Sequence, residues 1–212
     1  MIRIALPDGS RRAIRPGACI QDAANEIDRQ LGKSIVCVSI DGQLHDVRDR
    51  LSDDCALTIH TAETPEGRRV LCHTAAHVAA QAVKRFFPTA VLGTGSASGG
   101  GFYHDFEIGR PLSRREVAHI EVEMTRIVEE DLPIERHVMS KGDARVLLIR
   151  RGEILKLELL EEIDSPTVVL YTQGDHADLC RGPHALSTGR VPGAPSQGSP
   201  LPPGGTIRMP RC

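Results

Sequence analysis

The hydrophobic pattern changes period several times along the chain, and each change marks a predicted element. In MIRIALP, Ile2, Ile4 and Leu6 alternate with Arg3 and Ala5; DGS turns the chain and RRAIRP returns, so a β-hairpin opens the fold. The spacing then becomes helical. In ACIQDAANEIDRQLGK, Ile20, Ala23, Ala24, Ile27 and Leu31 share one face, with Gly32 as a C-terminal stop. SIVCVSI, the turn DGQ and CALTIHT supply further strands. Two strands, a helix and two or more strands make the β-grasp (ubiquitin-like) pattern, predicted over residues 1–62. So small a unit has a small core and suits an appended binding module.

TAETPEGRR, with its Pro, Gly and charges, is predicted to be a linker. A second, α+β unit is predicted over residues 68–190, with helices and strands not in strict alternation. VLCHTAAHVAAQAVKRFFP is its first helix: Ala76, Ala80, Val83 and Phe87 mark an apolar face, and Pro88 ends it. SRREVAHIEVEMTRIVEED is the second, opened by the capping-box pair Ser113 and Glu116, with Val117, Ile120, Met124, Ile127 and Val128 as the buried stripe. SKGDARVLLIRRG is a shorter third. GGGFYHDFEI, LKLELLEEI and TVVLYTQG are predicted strands. AVLGTGSASGGG has no Gly-Lys-Ser/Thr ending and leads into a strand, so it is a flexible loop lining a pocket rather than a phosphate cradle. Residues 191–212 hold six of the fourteen prolines and no apolar periodicity, which predicts a disordered or loosely attached tail.

Composition narrows the class. The 212 residues are 40% hydrophobic, ordinary for a globular chain. The longest apolar runs fall far below the roughly 20 residues that a membrane span needs, and MIRIALPDGS lacks the apolar core of a signal peptide. Cys19, Cys37, Cys55, Cys72, Cys180 and Cys212 show no short repeated spacing, so free thiols in a reducing cytoplasm are expected. A net charge of -2 excludes a chain coated in positive charge, though GSRRAIR and RVLLIRRG concentrate cations locally.

Two short segments carry the chemistry. HTAAH sets His73 and His77 at i and i+4, on one helix face. DLCRGPH sets Asp178, Cys180 and His184 along a strand-to-turn segment. Brought together, His73, His77, Cys180 and His184 have the ligand types of a tetrahedral zinc site. The residues by themselves leave a metal site and a metal-free catalytic site both open.

LPDGS at 6–10, HTAAHVAAQAVKRFFP from 73, GFYHDFEI from 101, RRGEILKLEL from 150 and DLCRGPH from 178 occur in an order and spacing that resemble the N-terminal region of bacterial threonyl-tRNA synthetases, over roughly residues 1–190. The resemblance implies an α+β chain: a TGS β-grasp domain, then an editing domain of the threonyl/alanyl-tRNA synthetase type that hydrolyses serine wrongly attached to threonine tRNA. Serine and threonine differ by one methyl, a difference of about 1–3 kcal/mol in a binding pocket, so a second, hydrolytic site must add discrimination. The family's editing-site positions fall on His73, His77, Lys156, Cys180 and His184 as catalytic-site residues, with Asp178 and His104 on the substrate. Within this set His73 and Lys156 are expected to position and activate water, Asp178 to meet the seryl ammonium or hydroxyl, and Cys180, His77 and His184 to shape the pocket. No cofactor is expected. Zinc on His73, His77, Cys180 and His184 is the alternative, as in the alanyl-type trans-editing relatives.

The chain departs from the family pattern at TGSASGGG and at His104, which stands where the family has tyrosine. The resemblance ends near Val191, before the class II ligase core, so aminoacylation is not expected of this chain and a fragment or a shifted reading frame would account for the ending. The implied partner is the acceptor end of threonine tRNA, with no DNA or membrane partner and a monomeric state. A non-catalytic RNA-binding remnant is the competing reading.

Overall fold

The computed structural model describes residues 1–192 and 206–209, the last four by their backbone. The chain divides into two units, Met1–Leu71 together with Gly182–Leu186, and Cys72–Arg181 together with the residues from Ser187 onward.

The first unit contains β1 (Ile2–Ala5), β2 (Arg11–Ile14), β3 (Ala18–Cys19), α1 (Ile20–Ile27), α2 (Arg29–Ser34), β4 (Ile35–Ile40), β5 (Gln43–His45), β6 (Arg50–Leu51) and β7 (Cys55–Thr61). Five strands form one sheet in the order β2-β1-β7-β4-β5; β1 and β7 run parallel and the other neighbours antiparallel. The predicted alternation places Ile2, Ile4, Ile14, Val38 and Leu57 inward, where they meet Ile20, Ala23 and Ala24 of α1. This is the β-grasp arrangement.

One predicted helix is in fact two. Asp28 is extended (φ -157, ψ 124) and its side chain accepts from the amides of Gln30 and Leu31, ending α1 and capping α2 in one residue. Gly32 therefore is not a stop. It lies within α2, where a Cβ would come 1.9 Å from Asn25 Oδ1 and 2.9 Å from Asn25 Cα, so the two short helices touch through it. The segment Gly182–Leu186 is tied to this unit by Arg48, which donates to the carbonyls of His184 (3.1 Å) and Ala185 (2.7 Å), and by Asp46, which accepts from the His184 amide (3.2 Å).

α3 (Pro65–Phe86) leads from the first unit into the second. The predicted linker is the start of this helix. Pro65 fits the first helical position, where no amide is required, and Thr64 Oγ1 accepts from the Gly67 amide at 3.1 Å. Then follow β8 (Val91–Ser98), β9 (Gly101–Glu107), α4 (Arg114–Glu129), β10 (Ile134–Ser140), α5 (Lys141–Arg151), α6 (Ile154–Glu161), β11 (Thr167–Gln173), β12 (His176–Leu179) and β13 (Thr206–Met209). One antiparallel sheet has the order β13-β9-β8 and another the order β10-β11-β12. The capping box predicted for α4 is present.

Several expectations for this unit are corrected. TGSASGGG is not a flexible loop: β8 pairs with β9 through Gly99 and Gly100, both at positive φ. Its small residues hide the alternation, and Gly95 is required by a close neighbour: a Cβ there would come 2.4 Å from His104 Cδ2. LKLELLEEI is helix α6 rather than a strand. Its alternation is overridden by the high helix propensity of Leu, Glu and Lys and by the i, i+4 burial of Lys156 and Leu160. The tail expected to be loose lies largely outside the described residues, but Val191 is buried and Thr206–Met209 pairs with β9, whose edge was open to it. Cys19, Cys37, Cys55 and Cys180 are free thiols, whereas Cys72 is disulfide-bonded, against the expectation of free cysteines throughout.

The main core joins α3 (Ala75, Ala76, Val78, Ala79, Ala82, Val83) to Leu92, Phe102 and Phe106 of the β8–β9 hairpin and Ile120, Met124 and Ile127 of α4. A second cluster joins Ala144 and Leu148 of α5, Leu160 of α6 and Val168 and Leu170 of β11. No helix among the described residues is long and apolar enough to cross a membrane.

The close approach at Gly32 is testable. Gly32→Ala should lower stability by about 1–3 kcal/mol through overpacking, although alanine is the better helix former. A urea midpoint at or above wild type would refute it.

Candidate functional site

Within the second unit the site is built where α3, β9, α6 and β12 supply polar side chains to a buried space. On α3 the sequence His73, His77, Gln81, Lys84 recurs every three or four residues, a polar stripe on a helix whose other inward positions are mostly alanine. Each lower member anchors the helix. Gln81 Nε2 donates to the Gln173 carbonyl (3.2 Å) and to Asp175 Oδ1 (2.9 Å), and Gln173 Nε2 donates back to Gln81 Oε1 (2.9 Å). Lys84 Nζ pairs with the buried Glu153 at 2.8 Å, and the other Glu153 oxygen accepts from the Leu92 amide at 3.2 Å. Glu153 immediately precedes α6, so these bonds fix where Lys156 enters the site.

On β12 the residues that matter are two apart. His176, Asp178 and the following Cys180 point to one side of the strand by the period of the pleat, and the Cys180 amide donates to the Val169 carbonyl at 3.1 Å. Asp178 is the hub and is 2% exposed. Its Oδ1 lies 2.6 Å from Lys156 Nζ, and its Oδ2 lies 3.5 Å from His77 Nε2 and 3.9 Å from His104 Nε2. The His73 and His77 rings meet edge to face at 5.5 Å, and those of His77 and His176 at 6.2 Å. Cys180 Sγ is 3.4 Å from His73 Nε2, both half-buried. Beside Cys180 opens a cavity of about 470 Å³, walled by Leu159, Ile163, Val169 and Leu179, with Arg181 also lining it.

Burial opposes ionisation of Asp178, but the Lys156 ammonium, with His104 and His77 behind it, holds the carboxyl well below its usual range. Burial pushes the His77 imidazole well below its ordinary value, and it brings His176 down to about 4; the nearby Asp178 opposes both shifts and does not outweigh them. At neutral pH the site therefore combines the Asp178 carboxylate with neutral imidazoles at His77 and His176.

The structure thus brings together, within one unit, His73, His77, His104, Lys156, Asp178 and Cys180. His184 belongs to the segment described with the first unit and is buried there. Of the four zinc-type residues, His73, His77 and Cys180 offer donor atoms within 4.8 Å of one another. Sequence reasoning missed His176, Gln81, Lys84 and Glu153. Signals for three of them existed: His176 is two residues before Asp178 on the same strand face, and Gln81 and Lys84 continue the helical spacing of His73 and His77.

The topology of the first unit agrees with its class: the family model of the TGS domain matches residues 2–61. Beyond that domain, the chain matches the N-terminal region of threonine–tRNA ligases. It is 43% identical over 192 residues to the threonine–tRNA ligase of Symbiobacterium thermophilum, 43% over 190 residues to that of Pelobacter propionicus, and 38% over 192 residues to that of Clostridioides difficile. Each match covers 90% of this chain and 30% of the relative, so the chain spans less than a third of the length of these curated relatives.

Two outcomes follow from the geometry. Lys84→Met leaves Glu153 buried without its cation and should cost about 3 kcal/mol in denaturant unfolding; the double change with Glu153→Gln should recover part of the loss. Because the folded-state value of His176 lies below that of the unfolded chain, the unfolded state takes up the proton first. Metal-free protein should keep its full stability above pH 6.5 and lose on the order of 3 kcal/mol from this group as pH falls toward 4. His176→Phe should flatten that part of the stability profile, measured with a chelator present.

Proposed function

We propose that the second unit is an aminoacyl-tRNA ester hydrolase, the editing part of a threonine–tRNA ligase, which releases serine from wrongly charged threonine tRNA in the cytoplasm. The reading is carried by the convergence of His73, His77, Lys156, Asp178 and Cys180 on one buried site, in a chain that matches threonine–tRNA ligases over nine-tenths of its length.

Hydrolysis of the ester needs a water held against the carbonyl, a group to take its proton and a donor for the oxyanion. His73 is the half-buried imidazole of the set and serves as the base that orients the water, with Cys180 fixing its ring through the 3.4 Å contact. Lys156 is the donor toward the developing oxyanion. Asp178 holds the Lys156 side chain in place, and being 2% exposed with one oxygen on Lys156 and the other facing His77, it acts as a positioning residue rather than by the direct seryl contact that the resemblance implied. The unit acts as a monomer on the tRNA acceptor end, and protein side chains supply the chemistry without zinc.

The test is deacylation of Ser-tRNA(Thr) and Thr-tRNA(Thr) by the purified chain. Serine should be released selectively, and His73→Ala should slow release about 100-fold or more. Lys156→Ala should slow it comparably, with folding checked by circular dichroism. Absence of release above buffer with either substrate would overturn the hydrolase reading in favour of an RNA-binding unit.

A further inference from the structure

His104 Nδ1 donates to the Asp105 carbonyl at 2.9 Å. Its Nε2 is buried, has no hydrogen-bond partner among the described residues, and lies 3.9 Å from the carboxylate oxygen Asp178 Oδ2. His176 Nε2 is likewise buried and without a hydrogen-bond partner among the described residues. Buried polar atoms left without a partner are costly unless something occupies the space between them.

The distances say what that could be. His77 Nε2 and Asp178 Oδ2 are 3.5 Å apart, too long for a good hydrogen bond. With metal–ligand bonds of about 2.0–2.2 Å, two ligands of a tetrahedral site stand about 3.3–3.6 Å apart. The donor atoms of His77, His176 and Asp178 all fall within 4.8 Å of one another, and all three residues are buried. Two imidazoles and a carboxylate are the donor set of open zinc and ferrous sites. The His104 bond to a backbone carbonyl is also the support that orients metal-binding imidazoles.

We propose that His77, His176 and Asp178, with His104 Nε2 beside them, form a binding site for one divalent transition-metal ion. It shares His77 with the set that includes His73 and Cys180 but takes no thiolate, and its test reads metal retention rather than hydrolysis. Lys156 on the other carboxylate oxygen opposes the cation, so it sets a limit on affinity.

The full chain is dialysed against Zn²⁺ alone, bound metal is measured, and Co²⁺ is then substituted for its visible spectrum. One equivalent is expected, with a Co²⁺ spectrum lacking thiolate charge transfer. His176→Gln should weaken retention at least tenfold, Cys180→Ser should leave it within twofold, and Lys156→Met should tighten it. No zinc retained by the wild-type chain would overturn the proposal. So would zinc retained by His176→Gln and lost by Cys180→Ser, or a thiolate band in the wild-type Co²⁺ spectrum, which does not depend on any variant folding.

Discussion

The ion pair between Lys156 and Asp178 sets the terms for the second unit. Both side chains are almost fully enclosed, and taking two charges out of water costs several kcal/mol per ion before their attraction offsets it. Such a pair persists only where its geometry is held from outside. Here the holding is done by polar pairs one step removed: Lys84 with Glu153 fixes the start of the Lys156 helix, and the reciprocal Gln81–Gln173 amides fix α3 against the strand next to Asp178. Neither touches Asp178. Together they determine where its two partners stand.

The same constraint explains the composition of α3. A helix that must bring His73 and His77 close to a strand cannot interpose large apolar side chains there, and its buried positions accordingly include Ala75, Ala76, Ala79, Ala80 and Ala82 beside Val70, Leu71, Val78 and Val83. The small residues of β8 work the same way: Gly95 leaves the space that the His104 ring fills. Bulk is restored farther away, by Phe102, Phe106, Ile120 and Met124, which close the core behind the polar face.

This division decides what could be read from the sequence. Where burial follows the period simply, as in β1 or along α4, pattern and structure agree because one face is apolar and the other is not. The β8 strand and the α6 helix were misread because the site distorts their patterns. β8 uses glycine and serine for clearance, and α6 buries a lysine where a hydrophobic residue would signal the inward face. His73, His77, Asp178 and Cys180 were visible because they sit at helical and strand spacing in short motifs. Glu153 gave no such signal, since an acidic residue before a helix is ordinarily read as solvent-facing, and only Lys84, 69 positions away, makes its burial tolerable.

The imidazoles are the part of the hub that ion pairing leaves unexplained. One lysine and one aspartate already neutralise each other, and beside them His104 Nε2 and His176 Nε2 stand buried without a hydrogen-bond partner among the described residues. A larger apolar aromatic at position 104 would fill the same space with fewer unsatisfied atoms. The presence of His104 and His176, each with a buried nitrogen that lacks a hydrogen-bond partner among the described residues, therefore argues that the space between them serves a purpose. Burial disfavours the protonated forms of His77 and His176, whereas a metal ion gains from the neutral imidazole.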